Sequence, residues 1–141
     1  MPDHAEPVFR LPVRIYYEDT DAGGIVFYAN YLKFFERART EWLRARGHSQ
    51  ERLRQQDRIG FIVTETAVRY LRPARLDDVL EVTVAVQRAG VASLQLAQEA
   101  SRTSAAGERE RVAESTIRIG CVELGTYRPV RIPNTILQSI R

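Results

Sequence analysis

Histidine, cysteine and lysine are scarce in this chain: it has two histidines and one cysteine, and Lys33 is the only one of its 21 basic side chains that is not arginine. A single thiol, Cys121, excludes an internal disulfide. It continues the apolar alternation Ile117, Ile119, Cys121, where a buried thiol behaves as a small hydrophobe. His4 falls in an N-terminal tail, residues 1–7, expected to be disordered, and His48 at the exit of a predicted helix; a Ser-His-Asp triad would have to be built on His48. No two histidines share a helix face, so no tetrahedral metal site is predicted. No GxGxxG or GxxxxGK run offers a nucleotide-binding loop.

Long apolar runs are missing too. No basic segment leads into an apolar stretch of about 7–15 residues at the start, so no leader is predicted. Nowhere do about 18 apolar residues stand together, so membrane insertion is not expected and the protein is read as cytoplasmic. A net charge of +3 permits attraction to phosphates but lacks the dense basic blocks of a nucleic-acid partner. What the chain does have is 44% hydrophobic side chains over 141 residues, enough for one core and too few for two, so 1–141 is read as a single domain.

The segment from Phe9 to Glu18 alternates loosely as a strand, with Pro12 confining its start to an edge. The run EDTDAGG forces a turn. Next, Tyr31, Phe34, Phe35, Ala38 and Trp42 recur at spacings of three and four, predicting an amphipathic helix with Asn30 as N-cap and Gly47 as its stop. A short helix opened by Ser49 should connect through Leu53 toward Gln56. Four strands follow, FIVTETAVRYL, VLEVTVAVQRA, SLQLAQEASRT and VAESTIRIGCVEL, and a short turn or helix closes the chain over TILQSI. One long apolar helix and a run of strands imply an α+β fold, a curved antiparallel sheet wrapped around a central helix in the hot-dog arrangement.

Glu18, Asp19 and Asp21 crowd the turn before that helix. Turn chemistry alone accounts for such residues, since Asp and Thr side chains bond nearby N–H groups and acids suit a helix's positive end. The same geometry also serves catalysis, because a helix N-terminus offers unpaired N–H donors to a developing oxyanion and an ionised carboxylate beside it can act as nucleophile or base. Thioester hydrolysis asks for little more, a thiolate being able to leave without a strong acid. The aromatic series Tyr16, Tyr17, Phe27, Tyr28, Tyr31, Phe34 and Phe35 is read as mostly core.

The run YYEDTDAGGIVFYANYLKFFERARTEWLRARG, continued by YLRPARLDD, resembles the 4-hydroxybenzoyl-CoA thioesterase family, especially its Tol-Pal-associated acyl-CoA thioesterase branch. The likeness covers Val8 to Ile132. It implies a hot-dog fold, a dimer joined edge to edge and commonly paired again into a tetramer, and sites at subunit interfaces. It also implies that Asp21 is the catalytic carboxylate, while the Tyr28 backbone N–H polarises the thioester carbonyl of an acyl-CoA. The Tol-Pal-associated branch typically has histidine where this chain has Tyr28, whereas the hydroxybenzoyl branch has tyrosine. Phe61, Ile62 and Val63 match the strand that lines the acyl or pantetheine pocket, often from the partner subunit. Before the fourth strand, RAGVAS offers only Arg88 where the hydroxybenzoyl branch has a basic cluster for coenzyme A phosphates. No cofactor is implied. A hot-dog hydratase would need a histidine near Asp21, and none is there. A non-catalytic acyl-CoA-binding or protein-interaction module on the same fold is the alternative.

Overall fold

The computed structural model describes residues 8–140, so the expectation for the tail 1–7, with His4, lies outside the described residues. Five strands form one antiparallel sheet in the order β1-β3-β4-β5-β2: β1 Phe9–Arg14, β2 Ile59–Tyr70, β3 Val79–Ala89, β4 Ser93–Thr103 and β5 Arg109–Glu123. Across it lies α1, Asn30–Ala45. The buried stripe Tyr31, Phe34, Phe35, Ala38 and Trp42 shares one core with Leu80, Val82, Val84, Leu94, Leu96, Ile117 and Ile119. This is the expected α+β hot-dog arrangement. Cys121 is part of that core, and burial pushes its thiol pKa up.

Alternation sends the intervening side chains to the outer face, where Glu81 pairs with Arg10 and Arg109 and Arg111 reaches Glu99 and Glu114. Pro12 stands on the edge strand β1, where its missing N–H costs no ladder bond. At the far end of α1, Gly47 has φ +88 and the His48 and Gly47 N–H groups return to Leu43 and Arg44, the left-handed stop expected there. The Ser49 hydroxyl caps α2, Gln50–Arg52, which runs on as a π turn over Leu53–Asp57. The chain closes with α3, Asn134–Ser139. Among the described residues no helix is long and apolar enough to cross a membrane.

Three expectations need correction. The first strand stops at Arg14 rather than Glu18: the Asp19 carboxylate accepts the Tyr16 N–H at 2.8 Å and holds a single 3-10 turn over Tyr17–Asp19 that competes with the ladder. Asn30 is the first residue of α1 and not its cap; Ala29 precedes it in right-handed conformation, and the Asn30 side chain bonds elsewhere. Tyr16, Tyr17, Phe27 and Tyr28 are exposed, because they flank a turn that the sheet does not cover, while Tyr31, Phe34 and Phe35 are core.

Candidate active site

Asp21 sits at the tip of a small hairpin. Thr20 bridges Val26, the Asp21 N–H donates to Ile25 O at 2.8 Å, and the Phe27 N–H donates to Asp19 O at 3.0 Å. Gly24, at φ +81, closes the tip by donating to Asp21 O. The returning arm runs straight into α1, so the turn that exposes Asp21 also sets where the helix begins. A second loop, the PARLDD segment, braces the hairpin: Val26 N–H donates to Ala74 O at 2.8 Å and Ile25 bridges Arg75. That loop is itself pinned by Arg102, which donates to Pro73 O at 2.7 Å and pairs with Asp78 and Glu110 at 3.1 Å each.

The Asp21 carboxylate is exposed, and its Oδ1 accepts the Gly23 N–H at 2.8 Å. Turn chemistry therefore claims one oxygen, as its residue type suggested. The other oxygen has no hydrogen-bond partner among the described residues. Facing the hairpin's base, the first turn of α1 begins early, with Asn30 N–H donating to Phe27 O, Tyr31 N–H to Tyr28 O and Leu32 N–H to Ala29 O. The Tyr28 and Ala29 N–H groups donate to no acceptor among the described residues. They are the orphan donors that a helix start leaves over. The returning arm of the hairpin, through Val26 and Phe27, carries the chain from Asp21 to these donors.

Beside the donors lies a cavity of about 340 Å³ lined by Ile25, Val26, Tyr28, Tyr31, Tyr70, Leu71, Arg72 and Pro73. Tyr70 packs edge-on to Tyr28 at 6.0 Å and against Tyr31 at 5.6 Å. Burial raises the phenol pKa of both Tyr31 and Tyr70 above the ordinary value. Sequence reading did not single out Tyr70 or Leu71; the available signal was a pair of apolar residues ending a strand just before Pro73.

The chain does not by itself gather the other candidates here. Phe61, Ile62 and Val63 start β2, whereas Tyr70, beside Tyr28, ends it, about 30 Å away at strand spacing. Arg88 is exposed near the end of β3, opposite Gln95 and a similar distance from the Asp78 loop. His48 lies at the exit of α1, about 24 Å from its start, and bonds the Ser139 hydroxyl at 2.8 Å. That hydroxyl donates to Ile136 O, so the contact locks α3 rather than activating a nucleophile. Among the described residues no three His, Cys, Asp or Glu side chains cluster as metal ligands would.

Residues 16–140 match the profile of the thioesterase-like superfamily. The chain is 40% identical over 128 residues to the acyl-CoA thioesterase YbgC of Haemophilus influenzae, covering 91% of this chain and 90% of that one. It is 39% identical over 134 residues to the acyl-CoA thioester hydrolase YbgC of Escherichia coli, covering 95% and 96%. The crystal structure of 4-hydroxybenzoyl CoA thioesterase from Pseudomonas sp. strain CBS-3 superposes with a TM-score of 0.86 over 94% of this chain and 98% of that one; at 20% identity this shows the shared fold. The chain belongs to the thioesterase-like superfamily, as its motifs indicated.

Proposed function

We propose that the chain hydrolyses the thioester of a short-chain or aromatic acyl-CoA to the free acid and coenzyme A. The observation that carries this reading is the exposed Asp21, one oxygen anchored and the other without a partner among the described residues, at the turn that leads into two N–H donors likewise unengaged among them. The Tyr28 N–H takes the carbonyl oxygen and holds the negative charge that develops as the carbon becomes tetrahedral. Asp21 then acts by one of two routes. It adds to the carbon as nucleophile, expelling coenzyme A thiolate and leaving a mixed anhydride that water cleaves; or it takes a proton from water, whose oxygen adds, and the thiolate leaves as the adduct collapses. The relatives named acyl-CoA thioesterases support the substrate class.

A homo-oligomer, a dimer or a dimer of dimers, belongs to the same proposal. β2 is an edge strand whose neighbouring Ile62 and Val63 point to opposite faces and are 40% and 50% exposed, so neither face is covered. Pairing two such edges antiparallel about a two-fold axis near the strand's middle brings Phe61–Val63 of a second copy against the Val68–Tyr70 end, beside Tyr28. Residues about 30 Å apart in one protomer then line one site. Arg88 is kept as the candidate contact for coenzyme A phosphate. A cytoplasmic place of work completes the proposal.

The test is a panel of acyl-CoAs mixed with the purified chain and a thiol reagent. Release of coenzyme A thiol with some members is expected; Cys121 is buried and should add little background. Binding of acyl-CoA without thiol release would instead identify a non-catalytic binding module.

A further inference from the structure

The two free N–H groups at the start of α1 belong to two successive peptides, and each of those peptides has its carbonyl engaged. Phe27 O, in the peptide that carries the Tyr28 N–H, accepts from Asn30 N–H at 2.9 Å. Tyr28 O, in the peptide that carries the Ala29 N–H, accepts from Tyr31 N–H at 3.4 Å and from the Tyr70 hydroxyl at 3.1 Å. A hydrogen bond into a carbonyl makes the N–H of the same peptide a stronger donor, since bonded groups polarise one another. The Asn30 N–H to Phe27 O bond closes a turn with Tyr28 and Ala29 at its centre, and Ala29 has φ −71 and ψ −19, so the two N–H groups sit in one helical turn. Both contacts are longer than usual for their kind, and the Tyr70 hydroxyl makes the shorter of the two.

Building on the hydrolase reading above, we propose that Tyr70 is a positioning residue. Its hydroxyl fixes and polarises the Tyr28–Ala29 peptide, so that the Ala29 N–H joins the Tyr28 N–H in holding the thioester carbonyl oxygen. Tyr70 is suited to this because its ring, although 47% exposed, rests edge-on against Tyr28 and tilted against Tyr31, which aims the phenol oxygen at its acceptor. A phenol holds its proton at neutral pH at its ordinary pKa of about 10, so the hydroxyl is available as a donor. As the last residue of β2, it also ties the sheet edge to the helix tip.

Tyr70→Phe keeps the ring and the cavity and removes only the hydroxyl. With the best substrate from the acyl-CoA panel, kcat should fall about tenfold while KM stays within about twofold, as for an interaction made in the transition state. An infrared measurement needs no turnover: an acyl-CoA bound to Asp21→Asn should show its thioester carbonyl stretch lowered from the free value. In the Asp21→Asn, Tyr70→Phe double variant that stretch should move back toward the free value. Unchanged kcat in Tyr70→Phe, a raised KM with kcat unchanged, or the same carbonyl frequency in both bound variants would each overturn the role of Tyr70 while leaving the hydrolase reading intact. A wild-type chain that releases thiol from no thioester would overturn both.

Discussion

The side-chain amide of Asn30 donates to the backbone carbonyl of Asp19 at 2.9 Å, tying the first residue of α1 to the 3-10 turn that leads to Asp21. Asp19 O also accepts the Phe27 N–H, so two bonds converge on one carbonyl at the junction of hairpin and helix. Asn30→Ala removes the one that reaches into the helix. Stability should fall by about 1 kcal/mol, the net worth of a single neutral hydrogen bond, as read by urea unfolding. Turnover should fall more than that loss suggests, because the acid and the donors lose their common anchor.

Arg102 is the pin of the bracing loop, with its side chain 18% exposed between Asp78, Glu110 and the Pro73 carbonyl. Arg102→Ala leaves Asp78 without its cation and Glu110 with Arg72 alone, at 3.8 Å. A loss of about 2–3 kcal/mol is expected, below that of a fully buried pair because solvent screens part of it. Denaturant unfolding of the variant measures it, and a midpoint equal to wild type would show that the loop is held by backbone pairing alone.

Gln98 is a fully buried amide on the core face of β4, where the pattern of its strand calls for an apolar side chain. Its NH2 donates to Phe35 O at 3.0 Å and Thr83 O at 3.2 Å, and its oxygen accepts from Arg39 at 2.9 Å. Gln98→Leu fits the volume but leaves the half-buried Arg39 guanidinium without that acceptor. Destabilisation of about 1–3 kcal/mol is expected despite the gain in apolarity, measured by thermal or urea unfolding.

Burial raises the Tyr31 phenol above its ordinary value of 10.0. The folded chain therefore holds that proton more tightly than the unfolded chain does. Its contribution to stability is complete below pH 10 and is lost as pH rises through the higher folded value, because the unfolded phenol ionises first. The melting temperature should fall above about pH 10, and Tyr31→Phe should show a shallower fall.

Much of the fold was legible because its signals are local. The spacing of Phe34, Phe35, Ala38 and Trp42 sets one helix face, and the glycine at 47 marks its end whatever packs around it. The alternation from Val79 to Thr103 likewise reports burial on one side of a sheet. Pairing order is a different matter: nothing in the residues of β2 says that it joins β5 at the far edge, since that depends on closure of the whole sheet. The candidate acid was found by motif, but Tyr70 was not, because its link to Tyr28 joins positions 42 apart in the chain. Asn30 and Gln98 were misjudged or passed over for the same reason, each spending its side chain on a backbone group far away in sequence.

The most direct measurement is the steady-state hydrolysis of an acyl-CoA by Asp21→Asn. Asparagine keeps a side-chain oxygen for the Gly23 N–H, so the hairpin should persist, with an unaltered circular dichroism spectrum and unfolding midpoint. Removal of the charge should lower kcat by about a hundredfold or more. Turnover near that of wild type, in a folded Asp21→Asn chain, would contradict the role given to this carboxylate.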